Sequence, residues 1–116
     1  MAKPPPVYRI ENLSDALRAL VSNASSTEPV HLLFSWASLR SAGIGYAMAI
    51  VAKARAAYPQ IACLCVLDAG EDAGLALSAL KAGADKVRFS GAPQLAQKLA
   101  QIALQLNAGF EISPAV

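Results

Sequence analysis

Residues 58 to 91, YPQIACLCVLDAGEDAGLALSALKAGADKVRFSG, constrain the fold more tightly than any other stretch. Ile61 to Leu67 is a near-continuous apolar run, short enough for a strand buried on both faces. Asp68, Gly70, Glu71 and Asp72 interrupt it, and Asp72 suits the N-cap of a following helix. Leu75, Leu77 and Leu80 sit among alanines up to Gly83, a natural residue just past a helix end. Val87 and Phe89 then alternate with Lys86 and Arg88, the period of a strand with one apolar face. Strand, crossover helix and second strand together make a parallel βαβ unit.

The rest of the chain follows the same alternation. Val7 to Ile10 is a short candidate strand, and Asn12 can cap a helix carrying Leu13, Leu17, Leu20 and Val21 on one face, with Asp15 as its capping-box partner. Ser22 to Pro29 is a polar loop, and Val30 to Trp36 a second strand. Ala37 to Gly43 reads as a loop before a helix from Ile44 to Tyr58, which Pro59 stops. After Ser90 and Gly91, Pro93 opens a last helix along Leu95, Leu99, Ile102 and Leu106.

The fold expected is α/β: four βα units around a mainly parallel four-stranded sheet, flavodoxin- and receiver-like or half-barrel-like. Residues 1 to 6 are expected to form a flexible Pro-rich lead-in, 7 to 109 a single domain, and 110 to 116 a tail without assigned structure. The first and fourth strands, one short and one alternating, are expected at the sheet edges. With strands in chain order, right-handed crossovers place every helix on one face and leave the other bare. Either one crossover reverses the winding, or a second subunit covers that face; the second option, a homodimer, is the expectation.

Composition narrows the function. Hydrophobic residues make up 55% of the chain, an excess that on a small domain points to apolar surface covered by a partner. The net charge of +2, carried on scattered Lys and Arg, excludes a nucleic-acid footprint. No apolar run approaches the ~20 residues of a membrane span. The amino-terminal stretch lacks the apolar core of a secretory signal, and with two cysteines there is no disulfide framework, so the cytoplasm is expected. Cys63 and Cys65 share one face of a strand, and with no His or further Cys nearby they read as small buried hydrophobes rather than a metal or redox pair.

Chemistry in an open parallel sheet belongs beyond the carboxyl ends of the strands. Arg40, Ser41 and Gly43 in one such segment, with Ser90 and Gly91 in another, are candidates for holding an anion through side chains and backbone N–H groups. Asp68, Glu71 and Asp72 form an acidic loop that could hold Mg²⁺ or act as acid and base; a solvated cap and turn is the plainer account. Trp36, Ser38 and Arg40 are candidate partner contacts. His31, the single histidine, falls at a strand start, away from those ends. No catalytic site, metal site or cofactor is implied by any motif.

Two resemblances bear on these residues. VHLLFSW, AYPQIACLCVLDA and ALKAGADKVRFSG resemble three strand regions of a response-regulator receiver domain, so that Val7 to about Leu106 is similar to a receiver beginning at the family's second strand. Ser35 or Trp36 stands where that family carries its phosphoacceptor aspartate, Asp68 where it carries the switch hydroxyl, and Ser90 where it carries its lysine. The resemblance therefore implies a scaffold for protein contacts rather than phosphotransfer. Arg40-Ser41-Ala42-Gly43-Ile44 is similar to the phosphoserine turn of STAS domains of the anti-sigma-factor-antagonist type, with Ser41 at the phosphoserine position and arginine in place of the aspartate.

The reading that follows is a non-catalytic regulatory or protein-interaction domain that associates with itself and has a protein partner in signalling. The alternatives are a binding protein or enzyme for a phosphate-bearing metabolite, with its pocket at the strand ends, and a STAS-like phosphoserine switch at Ser41.

Overall fold

The structure, a computed structural model, describes residues 5–113. Most of the expected lead-in and the last three residues of the expected tail lie outside that range. Among the described residues there are ten elements: β1 (Val7–Arg9), α1 (Leu13–Ser22), β2 (Val30–Phe34), α2 (Trp36–Ala42), α3 (Ile44–Ala57), β3 (Cys63–Asp68), α4 (Ala73–Lys81), β4 (Lys86–Phe89), α5 (Pro93–Gln105) and β5 (Gly109–Ile112). The α/β class holds, but the sheet has five strands, all parallel, in the order β1-β2-β3-β4-β5.

Local signals start and stop most helices where the residues suggest. Asn12 accepts the Asp15 N–H at 2.8 Å to cap α1, and Asp15 returns a bond to the Glu11 N–H at 3.0 Å. Asp72 caps α4 through the Leu75 N–H at 2.9 Å, and Pro93 occupies the first turn of α5. Gly83 just past α4 takes φ +95°, a conformation that favours glycine.

Three expectations are corrected. The stretch 37–43 is not a loop: Ser35 accepts the Ser38 N–H at 3.2 Å and starts the short helix α2. Residues 109–112, given no structure beforehand, form β5. Consequently β4 is an inner strand rather than an edge. Its polar residues Lys86 and Arg88 do not face solvent at a free edge; both meet Glu111 of β5, at 3.7 and 2.6 Å.

One cluster of buried residues joins every helix to one side of the sheet. It contains Leu20 of α1, Leu39 of α2, Ile50 of α3, Leu80 of α4 and Leu99 of α5. The sheet contributes Val30, Leu32 and Phe34, then Cys63, Cys65 and Leu67, then Val87 and Phe89. These alternate along each strand, as residues on one face must. Val66 is fully buried yet stands outside the cluster, because it points the other way. All helices thus lie on one face, the result of sequential strand order with right-handed crossovers. The order never reverses, so the described residues have no topological switch point; it is the order of the half-barrel-like alternative.

The amino ends of the strands are tied by a small polar knot. Asp85 accepts from Arg55 and from the Cys65 N–H, both at 2.8 Å, while Arg55 donates to the Cys63 carbonyl at 2.9 Å. Both cysteines are free and buried. Burial, aided by the Asp85 charge, pushes the Cys65 thiol up to about 12, which keeps it protonated and unreactive.

Candidate functional site

Two clefts open beyond the carboxyl ends of the strands. The larger, about 540 Å³, lies between the ends of β1 and β2, helix α2 and the start of α3; Arg9, Glu11, Ser38, Ser41, Gly43 and Tyr46 line it. Gly43 is the N-cap of α3 at φ +91° and supplies no side-chain cap, and a Cβ at Gly43 or Gly45 would meet nothing within 4 Å. The first turn of α3 therefore presents uncapped N–H groups to open space, which favours an anion. Ser41 lies in the last turn of α2, whose carbonyl end opposes one.

The second cleft, about 460 Å³, is lined by Trp36, Gly70, Glu71, Asp72 and Ser90. The ring of Trp36 carries the Arg40 guanidinium 5.0 Å from its centre and lies against Gly70, where an added Cβ would come within 3.1 Å of it. Arg40 is thus spent on Trp36 and lines neither cleft.

The remaining candidates have structural partners. Asp68 accepts the Gly70 N–H at 2.9 Å and Asp72 is the cap of α4, so two of the three acidic-loop carboxylates shape the turn. Among the described residues, no three His, Cys, Asp or Glu side chains converge as metal ligands. Gly91 sits against the fully buried Phe89 ring, in the space its own Cβ would need. Ser41 with Gly43, and Ser90 with Gly91, therefore do not form one pocket within the chain.

Most residues of the sheet face without helices were not among the sequence candidates; Asp68 was. The registers align Arg9, Leu33, Val66, Lys86 and Gly109 in one row across all five strands, and Asp68, Arg88 and Glu111 in the next. Val7, His31 and Leu64 form the row before. Arg88 Nε and Glu111 Oε2 are 2.6 Å apart but have no hydrogen-bond partner among the described residues, so charge rather than a directed bond joins them. His31 is held below its ordinary value, first by burial and then by the charges of Lys86 and Arg88, with Glu111 opposing. The alternation of Lys86 to Phe89 was the legible sign of this face; its acidic partner sat in a segment without a readable period.

No protein-family model matches the chain, and no curated protein does. No helix among the described residues is long and apolar enough to cross a membrane.

Proposed function

We propose that the chain is a non-catalytic regulatory or interaction domain that associates with itself to cover the side of its sheet that carries no helix. One observation carries this reading: five parallel strands in sequential order have all their helices on one face. Leu33, Leu64 and Val66 stand on the other, among Arg9, Asp68, Lys86, Arg88 and Glu111. Apolar residues mixed with both signs of charge suit a surface like themselves better than water or a lipid. A cytoplasmic setting goes with this reading, because Cys63 and Cys65 are free thiols. Light scattering across a concentration series tests it. The expected mass is twice the 12.0 kDa of the chain, falling on dilution. A mass that stays at 12.0 kDa up to about 100 μM, weaker than a working interface, overturns it.

A second reading is favoured by the open space before α3: a phosphate-bearing metabolite bound in the larger cleft by Ser38, Ser41 and the α3 N–H groups. A thermal-shift screen of phosphorylated metabolites tests it. A rise in Tm that Ser41→Ala abolishes supports it, and no rise with any compound removes it.

A further inference from the structure

We propose that the second copy joins edge to edge rather than face to face, β5 of each chain pairing in parallel with β1 of the other to close a ring of strands. This rests on the self-association proposed above and states how it is built.

The observation behind it is where the exposed apolar side chains lie. Val7 and Tyr8 of β1 are open, at 43% and 37% exposure. Ile112 of β5 is open at 61%, as are Leu104 and Leu106 at the end of α5 that leads into it, at 78% and 49%. Five of the nine large exposed hydrophobics among the described residues thus belong to the two edge strands or to the helix end that leads into β5, and Val7 among them faces the side without helices. Tyr8 is fixed there by a 3.0 Å bond from Asn23, and a groove of about 230 Å³ runs beside it between β1 and α1.

Among the described residues, the outward backbone groups at both edges have no partner. Pro6 and Ile10 use their groups on β2, so by strand alternation Val7 and Arg9 point theirs outward. Gly109 and Ser113 donate to the β4 side, so Phe110 and Ile112 point outward from β5. Two such edges in one molecule are a liability that pairing removes.

Charge chooses the occupant. Arg9, exposed on β1, has no acidic partner among the described residues, whereas Glu111 stands on β5 with 39% of its side chain open. Edge pairing puts Arg9 on the strand next to the second copy's Glu111, which then lies between guanidinium groups of two strands. A two-fold axis parallel to the strands preserves their direction, so both β5–β1 junctions are parallel and the assembly closes at two copies. The bare face becomes the inner wall of the ring, and every edge strand gains a partner. A second copy supplies both edges by construction, and its Glu111, although it already meets Lys86 and Arg88, keeps 39% of its side chain open toward Arg9.

The test uses the whole chain, its Val7→Pro variant and its Arg9→Glu variant. Val7→Pro removes an outward N–H and leaves the bonds to β2 intact. Arg9→Glu, a surface change that spares the core, sets like charges side by side. Mass by light scattering is read with hydrogen exchange at the Phe110 and Ile112 amides. Expected is a wild-type dimer with these amides slowed on raising concentration, a Val7→Pro monomer with fast exchange, and roughly tenfold weaker association for Arg9→Glu. Should Val7→Pro fail to fold, Arg9→Glu and the wild-type exchange decide alone. A wild-type dimer whose Phe110 and Ile112 amides stay fast, or which Arg9→Glu leaves unchanged, overturns edge pairing while leaving self-association standing. A mass that grows beyond two copies overturns ring closure, and a wild-type monomer removes the parent reading as well.

Discussion

Gly91 shows how a residue chosen for possible chemistry can be required by packing. The Phe89 ring fills the space beside it, with Cε1 2.9 Å from where a Cβ would stand, and that ring is fully buried. Gly91→Ala must displace it, so a loss of about 1–3 kcal/mol is expected, typical of overpacking, and chemical denaturation will measure it. His31 carries a pH dependence instead. Because burial and the Lys86 and Arg88 charges lower its folded-state value, the unfolded chain binds the proton first. Stability should therefore be unaffected well above pH 6.5, the ordinary value, and fall as pH drops through and below it. Tm measured from pH 7.5 to 5 should decline more in the wild type than in His31→Gln; equal declines would leave His31 without that role.

At the scale of elements, the caps are the most transferable part of the structure. Asn12 and Asp15 satisfy N–H groups at the start of α1, and Arg18 pairs with Asp15 at 2.7 Å on an exposed face. Exposed pairs of that kind contribute little, so the cap rather than the ion pair should matter. Asn12→Ala is expected to cost about 1 kcal/mol, roughly 4–8 °C in Tm, whereas Arg18→Ala should change Tm far less. Helix α2 has a comparable cap in Ser35 but only Leu39 buried, and its seven residues show no apolar stripe. The Ser35–Ser38 spacing was the one available sign of it. Strand β5 had none: four residues with Phe110 and Ile112 as the apolar pair are too few for a period.

For the whole molecule, the consequential fact is a sheet covered on one side. The helices bury one continuous core, so unfolding should be a single cooperative transition. If the chain associates as proposed, folded copies are stabilised by mass action and the unfolded chain is not. Tm should then rise with protein concentration in calorimetry, and the rise should vanish in Val7→Pro. A Tm that does not depend on concentration would contradict association in the measured range.

Short-range chemistry made most of this legible without coordinates. Asn12, Asp72, Gly83 and Pro93 mark helix ends within one or two turns of themselves, and the alternation of Lys86 to Phe89 is complete in four residues. Those signals are local because capping and side-chain period are local. The parallel α/β class follows from such elements, and one-sided helices follow from the handedness of crossovers once the strands stand in chain order; the order itself is a tertiary fact. The fifth strand, the inner place of β4 and the joining of Lys86 and Arg88 to Glu111 do not follow from local signals either. Glu111 lies more than twenty residues from either partner, and β5 is a strand because Gly109 and Ser113 donate to Asp85 and Phe89, at 2.8 and 2.9 Å. Pairing across that separation is settled by the tertiary fold, which also divides the strand-end candidates between two clefts.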